Sequence, residues 1–323
     1  MFYIDGHCDT LSKALDEDKD LYINELQFSL NAADKLGGGI QVMASFVDTK
    51  YLNSKNGAFI RCNNILNKWD EYQLRSDCDR LIKNKDDVCN SLDSNKTKVL
   101  LSIENGAAIN GNLNNVDYFY NRGVRMMSIT WNDDNELGCG AKTKEDKGLT
   151  DLGFEYVKKL ENLGVILDIS HSSEKSFWNA ISNTSNSVVA SHSNVYELCK
   201  NQRNLKDEQI KAIAKSGGII GICFYSEFLN GNKMADVVDV VEHIKYIKKL
   251  VGINYVGLGS DFDGMSIDKT AKGVSNIIEI NNITKELKRQ CFSDEDIRKI
   301  MWNNWYNVLQ RNLKAKTLYK SGF

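Results

Sequence analysis

Gly164-Val-Ile-Leu-Asp-Ile-Ser-His171 and Ser187-Val-Val-Ala-Ser-His192 are short apolar, β-branched runs, and each ends on a histidine. Runs of this length and composition read as buried strands. A single histidine after such a run is ordinarily a packed or hydrogen-bonded residue. Two of them at equivalent strand ends raise the question of a shared metal site, which the rest of the chain answers.

Six more segments of the same character occur at 2–5, 39–47, 98–104, 124–130, 217–224 and 255–261. Helical patterns separate most of them. In 150–163, Thr150 is a candidate N-cap, Leu152, Val157, Leu160 and Leu163 recur at helical spacing, and Gly164 supplies the stop. Segment 207–216 carries Ile210, Ile213 and Ala214 on one face, and 235–251 carries Val237, Val241, Ile244, Ile247 and Val251. Strands alternating with helices argue for parallel βαβ units, and eight of them suggest a (β/α)8 TIM-like barrel forming one domain over 1–323. An open doubly wound sheet is the rival architecture. Segment 56–95 is longer than one crossover needs and reads as one long helix or two shorter ones outside the barrel. Segments 276–287 and 293–313 read as closing helices, and 314–323 as a fraying end.

The formal charge is −2, so no basic excess supports a nucleic-acid partner or an anionic membrane surface. No basic region followed by a long apolar run opens the chain, and no stretch approaches 18 uninterrupted apolar residues. The expectation is a soluble, cytoplasmic protein. Its 8 cysteines are scattered without a CxxC pair and read as reduced packing residues. Cys8, between His7 and Asp9, should point away from both if that segment stays extended. Proline is absent, where average usage of roughly 5% would give about sixteen.

His7 and Asp9 follow the first predicted strand, Glu104 ends the third, His171 the fifth, His192 the sixth and Asp261 the eighth. In a barrel all six lie at the C-terminal rim, where barrel enzymes keep their sites. Of only 4 histidines, three end predicted strands; His243 falls inside the 235–251 helix and reads as structural. Imidazole with carboxylate and no clustered thiolate suits Zn²⁺ best, with Mn²⁺, Co²⁺ or Fe²⁺ as alternatives. One metal, or two about 3.5–4 Å apart, would lower the pKa of water and polarise a carbonyl. Glu104 is the natural bridge between two ions, and Asp261, with no histidine beside it, is the candidate for proton transfer. Asp168 and Ser170 are candidates to support His171 by hydrogen bonds.

Asp5-Gly-His-Cys-Asp-Thr10, Ser102-Ile-Glu-Asn-Gly106, Leu167-Asp-Ile-Ser-His171, Ala190-Ser-His-Ser-Asn194 with Arg203-Asn204-Leu205, and Gly257-Leu-Gly-Ser-Asp-Phe-Asp-Gly264 resemble the membrane (renal) dipeptidase family of metallopeptidases, amidohydrolase-type barrels. The resemblance runs from residue 2 to about residue 310. It implies two zinc ions, one held by His7 and Asp9, the other by His171 and His192, with Glu104 bridging and Asp261 as the catalytic aspartate. It implies further that Arg203 receives the substrate's C-terminal carboxylate, that Tyr225 contacts substrate, and that the protein forms a homodimer. Three departures stand out: Trp131 replaces the animal enzymes' carbonyl-polarising histidine, Gln202 replaces a proline before Arg203, and Trp302-Asn303-Asn304 replaces a Gly-Gly-Asn turn. The function implied is a dipeptidase, with C-terminal L- and D-residues both open. The alternatives are a metal-dependent amidase or lactamase acting on small N-acyl or cyclic amides, and a barrel that binds metal or peptide without turnover.

Overall fold

The computed structural model describes residues 2–231 and 234–316. Eight parallel strands, β1 (Tyr3–Cys8), β2 (Gly39–Phe46), β3 (Lys98–Glu104), β4 (Val124–Ser128), β5 (Ile166–Asp168), β6 (Val189–Ala190), β7 (Ile219–Ile222) and β8 (Val256–Leu258), form a barrel in sequence order. It closes where Asp5 of β1 pairs with Leu258 of β8. The open-sheet rival is excluded.

Several strands are shorter than their apolar runs, for a local reason. The Asp168 carboxylate accepts from the Ser170 N–H at 3.0 Å and the Ser191 N–H at 2.9 Å, which takes both residues off the strand ladder. The chain is thereby free to turn toward the rim just before His171 and His192. At the first strand the difference runs the other way: His7 lies within β1 rather than after it, beside an irregularity in register between Asp5 and Cys8.

The helices follow their caps. The Thr150 side chain accepts from the Gly153 N–H at the head of helix Asp151–Leu163, and Gly164 ends that helix at φ 73°. Segment 56–95 resolves into two helices, Gly57–Arg75 and Lys85–Asn90, joined through a bridge of Leu81 to Val99. The closing segment is not the continuous helix the periodicity suggests. Helix Asp294–Arg298 passes through a wide π turn, Lys299–Asn303, into helix Asn304–Asn312.

That turn delivers Asn304 and Trp305 to the barrel together. Asn304 donates to the carbonyls of Ile253 (2.7 Å) and Val256 (2.8 Å), and the Trp305 indole donates to the Leu258 carbonyl (2.8 Å). Trp305 joins Ile4, Ile40, Val42, Leu100, Met126, Ile166, Val189 and Ile219 in the core inside the barrel. A Cβ at Gly257 would sit 2.7 Å from its ring, so the close approach needs glycine there. A second, larger core fills the space between barrel and outer helices, and Cys8 packs in it, away from the rim. Of the tail read as fraying, residues 317–323 lie outside the described residues. No helix among the described residues is long and apolar enough to cross a membrane.

Candidate metal centre

Two backbone exchanges bring the first and last strands to one place. The Asp261 N–H donates to the His7 carbonyl at 3.1 Å, and the Asp9 N–H to the Phe262 carbonyl at 2.8 Å. The buried Asp5 carboxylate locks the junction by accepting from the Ser260 N–H (2.7 Å), the Ser260 hydroxyl (2.6 Å) and the Gln41 amide (2.8 Å). His171 and Asp261 hold left-handed backbone, φ 68° and 62°. For residues with a side chain this costs about 1–3 kcal/mol and is typical of functional sites.

The side chains converge below the rim. His7 Nε2 lies 3.4 Å from Asp9 Oδ2, 3.4 Å from Glu104 Oε2 and 3.9 Å from Asp261 Oδ1. The other Glu104 oxygen, Oε1, lies 2.8 Å from His171 Nε2 and 3.8 Å from His192 Nε2. The two histidine nitrogens are themselves 2.8 Å apart. Glu104 thus presents one oxygen to each side of the cluster.

The hydrogen bonds behind the rings fix their tautomers. His171 Nδ1 donates to Asn132 Oδ1 at 2.9 Å, leaving a lone pair on Nε2. The Ser191 hydroxyl gives its proton to Asp168 Oδ2 at 2.5 Å, so it accepts from His192 Nδ1 at 2.8 Å, and His192 Nε2 is likewise a bare lone pair. Two imidazole lone pairs and a carboxylate oxygen then face one another in a buried space. Asp9 Oδ1 is also buried without a hydrogen-bond partner among the described residues. This donor set fits a divalent cation.

The electrostatics of the protein's own groups agree. Burial, helped by Arg203, lowers the His171 pKa to about 3, and burial with the neighbouring histidines holds His192 neutral as well. Burial works against a charge on His7 too, but Glu104 and Asp9 outweigh it and raise its pKa. Glu104 stays ionised despite burial because His7 and His171 face it. Burial, with Asp9 and Glu104 nearby, pushes Asp261 up to about 8.

Asp168 and Ser170 support the neighbouring strand rather than His171: Asp168 acts through Ser191 on His192, and the Ser170 hydroxyl accepts from the His192 N–H at 3.3 Å. The support for His171 comes from Asn132. Cys223, read from the sequence as packing, donates its thiol to Asp261 Oδ2 at 3.4 Å. Only the pairing of β7 with β8 brings these two together. Asp263 is structural as its place in the loop suggests, accepting from Thr10 Oγ1 (2.5 Å) and the Gln27 N–H (3.0 Å). His243 is too, accepting from the Val195 N–H and donating to the Leu229 carbonyl. All eight cysteines are unpaired.

Above the cluster opens a cavity of about 1020 Å³ whose walls include Arg203, Tyr225 and Trp131. Arg203 is 4% exposed and donates from one terminal nitrogen to the His192 carbonyl at 3.2 Å. Its Nε is buried without a partner among the described residues. The Tyr225 hydroxyl donates to Glu227 at 2.6 Å.

A metallopeptidase dipeptidase of known structure, assigned to family M19, superposes with a TM-score of 0.89 at 23% identity, covering 98% of this chain and 99% of that one. A Rhodobacter sphaeroides metallopeptidase, solved with a phosphinate mimic of the dipeptide L-Ala-D-Ala, gives 0.86 at 21%, covering 97% and 99%. In sequence, an uncharacterised dipeptidase of Schizosaccharomyces pombe is 30% identical over 223 residues, which are 67% of this chain but only 53% of that protein. An uncharacterised Klebsiella pneumoniae protein encoded upstream of pqqA is 32% identical over 218 residues, 64% of this chain and 79% of its own length. With the family model for membrane dipeptidases matching residues 1–321, the chain belongs to the membrane dipeptidase family, peptidase family M19.

Proposed function

We propose that the protein is a binuclear metal-dependent dipeptidase. In this reading His7 and Asp9 hold one Zn²⁺, His171 and His192 hold the other, and Glu104 lies between them. The observation that carries the substrate assignment is Arg203, a buried guanidinium in the cavity wall with Nε unpartnered. A free carboxylate is the complement of such a fork.

Cations bound at this cluster polarise a carbonyl and lower the pKa of water. The remaining steps belong to the chain. Arg203 grips the C-terminal carboxylate, so the amide one residue along lies over Glu104, His171 and His192. Asp261 Oδ1, facing His7 at 3.9 Å, takes a proton from the attacking water and returns it to the leaving nitrogen. Tyr225 and Trp131 bound the space on either side. The relative captured with an L-Ala-D-Ala mimic supports including C-terminal D-residues among the substrates.

The test is metal analysis of the purified protein, with turnover of L-Xaa-L-Xaa and L-Xaa-D-Xaa dipeptides under added Zn²⁺, Co²⁺ or Mn²⁺. Two ions per chain and cleavage that fails on C-terminal amides are expected. No bound metal and no cleavage across the panel would end the proposal.

A further inference from the structure

The large cavity has two unlike ends. Phe46 ends β2 directly opposite Glu104 in the strand register, and Trp131 follows β4. Their rings meet at 5.1 Å and 61°, and the Trp131 ring lies 6.2 Å from that of His171. Both side chains are partly exposed and line the cavity. The Trp131 indole N–H has no protein partner among the described hydrogen bonds. At the other end, after β6, stands Arg203 with its guanidinium 5.4 Å from the Phe228 ring. In a closed ring of eight strands, β2 and β6 are diametrically opposite.

We infer that Phe46 and Trp131 form the subsite for the side chain of the substrate's N-terminal residue, so that the preferred substrates are dipeptides beginning with an apolar or aromatic residue. This rests on the reading that Arg203 takes the C-terminal carboxylate. A dipeptide so held crosses the histidine–carboxylate cluster. Extended at about 3.3–3.6 Å per residue, its N-terminal residue is directed away from Arg203 toward the β2–β4 side of the cavity wall. On the loop after β2, Asp48 and Lys50 pair with each other at 3.6 Å, and Lys142 on the loop after β4 also lines the cavity. The aromatic pair offers an apolar face and an edge-on partner for a substrate ring.

Two measurements test this. Steady-state kinetics on the metal-loaded protein compare Phe-Ala, Leu-Ala, Ala-Phe and Asp-Ala in the native protein, Trp131→Ala and Phe46→Ala. Fluorescence titration of native protein and Trp131→Phe uses Phe-Ala and Asp-Ala whose peptide bond is reduced to CH₂–NH. The native protein is expected to favour Phe-Ala over Asp-Ala by about tenfold or more in kcat/KM, expressed mainly in KM. That ratio should shrink to within about threefold in Trp131→Ala. The reduced Phe-Ala should change native fluorescence by a component missing from Trp131→Phe.

Unchanged selectivity in both alanine variants would overturn the inference. So would a preference that follows the C-terminal residue, read from Ala-Phe. Selective binding of the reduced Phe-Ala without turnover of any dipeptide would remove the proposed activity and leave the subsite standing. Binding with no N-terminal preference would remove the subsite.

Discussion

His171 and His192 each have one ring nitrogen tied to a side-chain oxygen, of Asn132 and Ser191, whereas His7 meets carboxylates at its Nε2: Asp9, Glu104 and Asp261. The first half of the cluster is therefore neutral and oriented before any ion arrives. The second is built on carboxylates, Asp9 and Glu104, whose negative charge raises the His7 pKa and would equally favour a cation. Orientation is what hydrogen bonds behind a ligand supply, and such partners typically matter by about 10–100-fold in affinity. Charge acts with less demand on angle. The two halves should differ in what breaks them.

Glu104 faces both, with Oε2 toward His7 and Oε1 toward His171 and His192, and its loss is expected to have the largest effect. Glu104→Gln should empty both halves, with metal content by plasma emission falling below one ion per chain. The fall in kcat/KM should exceed the roughly 100-fold that supporting residues cost. If Glu104→Gln keeps two ions, the carboxylate does not join the halves. Asn132→Leu comes next: it frees His171 Nδ1 and should weaken one of two metal equivalents by about 10–100-fold in chelator competition, leaving the other equivalent at native affinity. Equal weakening of both would show that the halves are not separately built.

The smallest change is expected at Cys223, whose thiol reaches Asp261 on the charged half. Losing one hydrogen bond of ordinary strength, about 1 kcal/mol, should lower kcat about fivefold in Cys223→Ala. KM and metal content should stay unchanged, and Cys223→Ser should restore most of the rate. A loss in Cys223→Ala that appears in KM, or that serine does not rescue, would mean the thiol only packs.

Much of this was legible along the chain. The eight apolar runs, their alternation with helices and the Thr150 and Gly164 caps are local signals, carried by neighbours in sequence. The histidines and carboxylates at the ends of those runs were legible for the same reason, since a strand end in a barrel is already a position on the rim. What failed was whatever ran sideways. Asp168 reads as a partner of His171 because they share a strand end, yet it acts on the next strand through Ser191. The closing segment reads as one helix because its apolar residues stay periodic, and nothing in that pattern announces a π turn that sends Trp305 into the barrel.

The left-handed backbone at His171 and Asp261 is a further case, since neither residue is a glycine that would have signalled it. Gly264, which closes the last of the quoted motifs, lies where an added Cβ would come 2.3 Å from Asp261 Oδ1 and 2.6 Å from Asp9 Oδ2, so any side chain there would push on both carboxylates.

The amino-acid sequence by itself determined the alternation of eight strands with helices, the set of donor atoms and the strand ends that carry them, because these are properties of contiguous residues, whereas closure into a barrel rather than an open sheet came from the pairing of β1 with β8. Only the tertiary structure decided which imidazole nitrogen keeps its proton, which Glu104 oxygen faces which half, and that the Arg203 Nε is left without a partner. Those depend on groups from adjacent strands, brought within hydrogen-bonding distance by packing. Protonation and orientation are set by what a group touches in space, and that is decided only when the barrel closes.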